Sequence, residues 1–507
     1  MSDASVADAL RSNAHRVVVD APAGTGKTYQ AASYARHAAG ELRKGQRVLI
    51  LAHTHAACDV FSSRTADLRS RLQIGTIDSL VAVIAKVYHR ALDLPIDVHA
   101  WSVDRGSGCY PELARRVRLL LNRSPVVAGA LAERYPFVIC DEHQDASEDQ
   151  HGIVDAVARA GARVRFFGDP MQAIFASGAD WKAQQLQWQQ LTDTANAFVR
   201  LDTAHRWRDG SPELGTWVLE QREYLRAGGL VNLREHLPRG LQVLRADNQA
   251  PRHGGFKLDD ESRRPVHALV KNNSKLLILT PYNDTVFGLN AFFGWRIPIW
   301  EGYTRDALGN LLANCRRHNG NPVALGKAMC AFLDVVGKGF SPTSYGNRLL
   351  QELETGCAKP CRGKPAEIQS IARHILQNPN HVGVGAGLEQ IHRLMQTSTN
   401  FRDIRIDLRR EFAEARQIHA HPESGTVLAR MTHLRDARRD QIPDRAISTI
   451  HKSKGLETSG AVLLPCDASN LAANERNRCL LYVAVSRACE HLTVVVPWTN
   501  PSPLMDL

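Results

Sequence analysis

The sequence predicts an α/β protein with two parallel-sheet domains, each interrupted by a helical insertion. Apolar, β-branched runs recur with helical stretches between them: "RVVVD" at 16–20, "QRVLILAHT" at 46–54, "YPFVICDE" at 135–142 and "RVRFFGD" at 163–169. Buried strands alternating with helices read as a parallel sheet with crossover connections. The pattern starts again after residue 200, with "SKLLILTPYN" at 274–283, "RAISTIH" at 445–451, "GAVLLP" at 460–465 and "HLTVVVP" at 491–497. A glycine-bearing loop, "APAGTGKT" at 21–28, follows the first run and leads into a helical stretch from about 27 to 42. That is the carboxyl end of a strand, where open α/β sheets bind ligands.

Bulk properties bound the rest. A chain of 507 residues exceeds a single core, and at roughly 100–200 residues per domain it divides into three or four compact units. Hydrophobic residues make up 44%, which supports true cores and excludes a disordered chain. No apolar run reaches 18 residues, so no membrane-spanning helix is expected. The opening "MSDASVADALRSNAHR" lacks the apolar centre of a signal peptide, and a cytoplasmic location is the expectation. Of ten cysteines only Cys357 and Cys361 sit close together, so free thiols in a reducing compartment are favoured over a metal site. The net charge of +11 suits a polyanionic partner, because each phosphate neutralised releases a counterion.

The loop has the spacing of a phosphate cradle, with Ala21 at its first position. Gly24 and Gly26 let the turn of Ala21, Pro22, Ala23, Gly24, Thr25 and Gly26 close on phosphate oxygens with its backbone N–H groups, Pro22 contributing shape and no donor. Lys27 brings a cation to the β and γ phosphates, and the Thr28 hydroxyl is a magnesium ligand. The helix that follows adds its positive N-terminal end. Hydrolysis needs a carboxylate site as well. Asp141 and Glu142 close the run "FVICDE": Asp141 holds magnesium, and Glu142 orients and deprotonates the attacking water. ATP and Mg2+ are the implied cofactors.

The acidic pair belongs to "DEHQDAS", and a DExQD core on a strand resembles the superfamily 1A helicases of UvrD/Rep type. Further motifs follow in that family's order. "GDPMQAIF" (168–175) is similar to its GDxxQ sensor, "AHRW" (204–207) to its Tyr-Arg element, "TIHKSKGLE" (449–457) to its TxHxxKGLE element and "LLYVAVSRA" (480–488) to its YVxxTRA element. The resemblance implies two RecA-like P-loop NTPase domains. The first covers 1–84 and 135–198, with a small helical insertion at 85–134. The second covers 199–289 and 441–507, with a reduced helical insertion at 290–440. It further implies that Asp169 and Gln172 read the γ-phosphate, and that Arg206 and the arginine finger Arg487 contact it from the second domain. Glu457 would meet the ribose, and Tyr29 and His205 would sandwich the adenine, although Tyr29 also fits a helix surface. The implied activity is ATP hydrolysis driving 3′-to-5′ translocation on single-stranded DNA or a 3′-tailed duplex. His53, Thr54, Thr76, Phe175 and His451 would lie on the strand.

The chain departs from the family in several places. His53 stands where the family stacks a Phe on a base, and Asp78 stands at the His of the strand-contact element "GTIDSL". "ASGADW" replaces an aromatic–Arg pair, leaving Trp181 as either a substitute stacking platform or a core residue. No glutamine precedes Ala21 to read the adenine edge. The Arg-rich segments 401–410 and 429–441 read either as phosphate contacts or as solvated helix faces. The compact size also resembles the helicase subunit of the Gabija antiphage system, which works with a nuclease. That leaves a second reading: a nucleotide- and DNA-sensing subunit of a defence complex with a nuclease partner. An RNA translocase would use the same core.

Overall fold

The computed structural model describes residues 3–96, 98, 101, 109–250, 255–294, 296–300, 306–421 and 443–507. They form two compact units. One comprises Met1–Ile84, Ala114–Trp300 and Ile442–Leu507, and the other Ala85–Leu113 and Glu301–Gln441.

The larger unit carries two large parallel sheets, as expected for RecA-like P-loop NTPase domains, and a two-stranded parallel pairing of Val231–Asn232 with Met505–Asp506. The first has six strands: β1 (Arg16–Asp20), β2 (Val48–Ala52), β3 (Leu72–Thr76), β4 (Phe137–Cys140), β5 (Arg163–Gly168) and β6 (Ala197–Arg200), ordered β3-β2-β4-β5-β1-β6. Every neighbouring pair is parallel. Strands β2 and β4 are buried throughout, as unbroken Val, Ile and Leu runs require when helices cover both faces. Helix α1 (Asp3–Arg11) and helix α2 (Lys27–Gly40) pack on this sheet, with Val6, Leu10, Tyr34 and Ala35 in one core with Val17, Ile50 and Phe167. The alanines of α2 favour helix and let it lie close to the strands.

The second sheet has five strands: β7 (Leu241–Arg245), β8 (Leu276–Thr280), β9 (Arg445–Thr449), β10 (Thr458–Leu463) and β11 (Ala488–Val496), ordered β9-β8-β10-β11-β7, all parallel. Helix α3 (Pro212–Arg226) and helix α4 (Glu475–Val485) pack beside it. Ala23, Met171 and Ile174 of the first sheet's loops share one apolar core with Trp207, Leu214, Tyr482 and Leu492. This shared core brings the functional loops of both sheets together.

The smaller unit is mostly helical among the described residues, with one antiparallel pairing of Gly337–Lys338 with Arg405–Ile406. Helices Asp306–Arg317, Pro322–Val336, Asn347–Thr355, Lys364–Gln377, His381–Thr397 and Arg409–Gln417 surround a core that includes Leu312, Phe332, Ile371, Leu388 and Phe401. The Arg-rich segment 401–410 is a short turn, a two-residue strand at Arg405–Ile406 and the start of a helix, not one continuous helical face. The segment 429–441 lies outside the described residues. Among the described residues, no helix is long and apolar enough to cross a membrane.

Candidate functional site: a phosphate loop facing a second sheet

Strand β1 ends at Asp20, and the chain is pinned to β5 where Ala21 N donates to Gly168 O at 2.8 Å. The loop then closes on itself, the buried Thr25 hydroxyl donating to Pro22 O at 2.8 Å. Gly24 and Gly26 have φ of +73° and +83°, a left-handed backbone that disfavours any side chain. Gly24 has no room for one either: a Cβ there would sit 2.6 Å from the Trp207 ring and 2.7 Å from Arg206 Cβ. Lys27 is the first residue of α2.

Strand β4 delivers the acidic pair to the same place. Asp141 N donates to Leu51 O of β2 at 2.8 Å, and Glu142 follows with a left-handed φ of +52°. A non-glycine residue there stores about 1–3 kcal/mol of strain, a feature that clusters at functional sites. The Lys27 ammonium pairs with Glu142 Oε1 and lies 3.2 Å from Asp141 Oδ1. Burial pulls the Lys27 ammonium below its ordinary pKa, and the Asp141 charge opposes that. Gln144 Nε2 donates to Glu142 Oε2 at 2.6 Å, and its Oε1 accepts from Asp169 N at 3.1 Å. In the sensor segment, Gln172 Nε2 donates to Asp169 Oδ2 at 2.9 Å, with both residues buried.

The turn after β6 and segments that pack on the second sheet meet this loop directly. Arg206 N donates to Gly24 O at 3.0 Å, while its side chain donates to Glu457 Oε2 at 2.7 Å and Ser486 O at 2.6 Å. Tyr482 of α4 accepts from Ala23 N at its hydroxyl, at 2.8 Å. Arg487 is buried, and its guanidinium donates to Val483 O, Leu456 O and Ser486 Oγ at 2.7–3.0 Å. Burial, then the neighbouring Arg206 charge, lowers Arg487 to about 9. Of the two arginines, Arg206 is the one bonded to the phosphate loop.

Lys454 was not singled out from sequence, although it stands in "TIHKSKGLE". Its Nζ donates to Asp145 Oδ2 at 2.5 Å and Gln172 O at 2.6 Å, and lies 3.9 Å from Glu142 Oε2. A second unanticipated residue is Asp3, on α1. Its Oδ2 lies 2.6 Å from His205 Nε2, and its backbone oxygen accepts from Gln30 at 3.3 Å. His205 also covers Gly26, whose Cβ would come within 3.1 Å of the imidazole. Tyr29 is 66% exposed and Glu457 is held by Arg206.

The residues expected on a nucleic-acid strand occupy the carboxyl ends of the strands. Thr54, after β2, caps the next helix by accepting from Ala57 N at 3.2 Å. Thr76 ends β3, and its hydroxyl accepts from Ser79 N at 3.1 Å. Phe175 is 57% exposed, with Lys454 Nζ 5.0 Å from the ring centre. The His451 Nε2 lies 3.1 Å from Arg476 Nη2, and burial followed by the Arg476 charge lowers its pKa to about 4. Burial likewise lowers His53, whose Nε2 has no hydrogen-bond partner among the described residues. Trp181 is a core residue: it is buried and its indole donates to Ala173 O at 2.8 Å.

A nucleotide with magnesium fits this donor set. The two left-handed glycines shape the loop, Lys27 supplies a cation, and the buried Asp141 carboxylate faces that cation at 3.2 Å. Sheet, loop and acidic pair define a P-loop nucleotide-binding protein. Residues 3–229 match a family model described as an AAA domain, and residues 445–495 match the UvrD-like helicase C-terminal domain. Together the two matches support a UvrD/Rep-like superfamily 1 helicase, an enzyme class that hydrolyses nucleotides and works on nucleic acid. A comparison with curated proteins gives no match.

Proposed function

We propose that the chain is an ATP-dependent translocase that moves 3′ to 5′ on single-stranded DNA and separates 3′-tailed duplexes. The observation that carries this reading is the direct bonding of Arg206, in the turn between β6 and α3, and of Tyr482, on α4 beside the second sheet, to Gly24 and Ala23 of the phosphate loop. Two sheets that touch through the fuel-binding loop can convert its chemistry into relative motion. In this reading residues 1–84 with 135–198, and 199–289 with 441–507, are the two motor domains. Residues 85–134 and 290–440 are their insertions.

Lys27 exchanges its pairing with Glu142 for the β and γ phosphates, which frees the Glu142 carboxylate. Glu142 then takes a proton from the attacking water as the new oxygen–phosphorus bond forms and the bond to the β-phosphate oxygen breaks, releasing ADP and phosphate. Thr28 and Asp141 would hold magnesium, which supplies charge neutralisation on the phosphates when bound. Gln172 and Arg206 meet the γ-phosphate, and Arg487 does so by giving up one of its internal bonds. His205 and Tyr29 flank the base and Glu457 the ribose. His53, Thr54, Thr76, Phe175 and His451 line the DNA path.

Steady-state ATP hydrolysis with and without single-stranded DNA tests the reading, with RNA of the same length in parallel. Stimulation by DNA and unwinding of a 3′-tailed but not a 5′-tailed duplex are expected. Hydrolysis indifferent to every nucleic acid would sink the translocase, and stronger stimulation by RNA would reassign its track.

A further inference from the structure

A fully buried charge network lies beside the phosphate loop, and its arginine has no role in the reading above. Arg222 of α3 is 0% exposed, and it meets Asp20 (1%) and Asp169 (0%). Its Nη2 donates to Asp20 Oδ1 at 2.5 Å and to Asp169 Oδ1 at 2.7 Å, and its Nε donates to Asp169 Oδ1 at 3.0 Å. Nη1 donates to Glu223 Oε1 at 2.6 Å. Asp20 is the last residue of β1 and lies opposite Gly168 of the adjacent strand, so the two carboxylates are neighbours at the ends of β1 and β5. Arg226 and Arg200 approach the second oxygen of Asp20, at 3.3 and 3.9 Å. Burial opposes the Arg222 charge, and Asp169 and Asp20 more than offset that, holding the guanidinium well above its ordinary pKa.

The network continues to the reacting groups. Asp169 accepts from Gln172 Nε2 through its other oxygen, and its backbone N–H is bonded to Gln144, which holds Glu142. One guanidinium from a helix packed beside the second sheet therefore fixes the strand that launches the phosphate loop and the segment that aims Gln172 and Glu142. We propose that Arg222 is a positioning residue for hydrolysis, which touches no nucleotide and orients Gln172 and Glu142 through Asp169 while anchoring that assembly to α3. A guanidinium is required because its planar fork serves both carboxylates at once, whereas an ammonium is a point charge. This role rests on the nucleotide-hydrolase reading above.

The test compares wild type, Arg222→Lys, Gln172→Ala and the double variant in steady-state ATP hydrolysis, with nucleotide affinity measured separately using a fluorescent ATP analogue. Arg222→Lys keeps the positive charge and loses the fork. Its kcat should fall at least about tenfold, the scale on which small misplacements of reacting groups act, while analogue affinity and KM stay within about threefold. The double variant should be slowed by clearly less than the product of the two single losses, because both changes act on Gln172. A merely structural Arg222 would instead give losses that multiply. Asp20→Asn keeps an acceptor for Arg222 and removes buried negative charge, so it serves as the second variant if Arg222→Lys does not fold. It should lower kcat without changing KM, and its loss should shrink in the Gln172→Ala background. Wild-type kcat in a folded Arg222→Lys, or multiplying losses in either cycle, overturns the assignment of Arg222 alone. Absence of hydrolysis by the wild type overturns the hydrolase reading and this role with it.

Discussion

Glu142 combines a left-handed backbone with pairing to Lys27 and a 2.6 Å bond from Gln144. Such a carboxylate is oriented by its neighbours before any substrate arrives. Glu142→Gln is expected to lower kcat by about 10²–10⁴ while nucleotide still binds, which single-turnover hydrolysis beside analogue binding would measure. The two arginines separate in a similar way. Arg206 is bonded to the loop through its backbone, whereas Arg487 spends its guanidinium on Val483, Leu456 and Ser486. The Arg206 guanidinium, held by Glu457 and Ser486, is lost in Arg206→Ala, which should weaken the analogue and slow turnover together. Arg487→Ala should chiefly cut kcat, by as much as about 10³, the lower end of what an arginine finger supplies. A larger effect of Arg487→Ala on binding than on kcat would contradict this division.

The loop between β1 and α2 depends on its glycines as an element. Gly24→Ala meets both a left-handed backbone and a Trp207 ring 2.6 Å from the added carbon. It should destabilise the protein by about 1–3 kcal/mol, read as a lowered unfolding midpoint, and should abolish analogue binding. A different strain lies beneath β4 and β5, where the His143 ring sits 4.7 Å from Phe166 and its Nε2 lies 2.9 Å from His151 Nδ1. Burial, together with the neighbouring His151, holds His143 well below its ordinary pKa, and burial lowers His151 as well. Unfolding raises these pKa values back to the ordinary range, so the unfolded chain binds more protons below about pH 6.5. Stability is then fully present above that pH and falls as the solution is acidified, by up to about 1.4 kcal/mol per pH unit for each such histidine. Denaturant midpoints at pH 7 and pH 5.5 check the sign, and a midpoint that rises on acidification would refute it.

At the scale of the molecule, a net charge of +11 sits on a chain whose two sheets share one apolar core through their functional loops. If DNA crosses both sheets, the logarithm of its affinity should fall linearly with the logarithm of salt, with a slope near −0.7 for each single-strand phosphate contact. Removing the exposed Phe175 ring should weaken binding without changing that slope, since a ring contributes stacking rather than counterion release. Titrations of fluorescent oligonucleotide at several salt concentrations would measure both. The sequence alone specified the parallel sheets, the phosphate loop and the acidic pair, because apolar runs, glycines and a carboxylate at a strand end are local signals that tolerate few other folds. It could not reveal that Arg222, in the ordinary helical stretch "PELGTWVLEQREYLR", neutralises Asp20 and Asp169, or that Asp3 holds His205. Lys454 was visible within a motif, but its partners Asp145 and Gln172 were not. Those pairings join residues separated by as many as 309 positions. Only packing brings such groups together, and burial then makes their pairing obligatory, since an unpartnered charge out of water is too costly to persist.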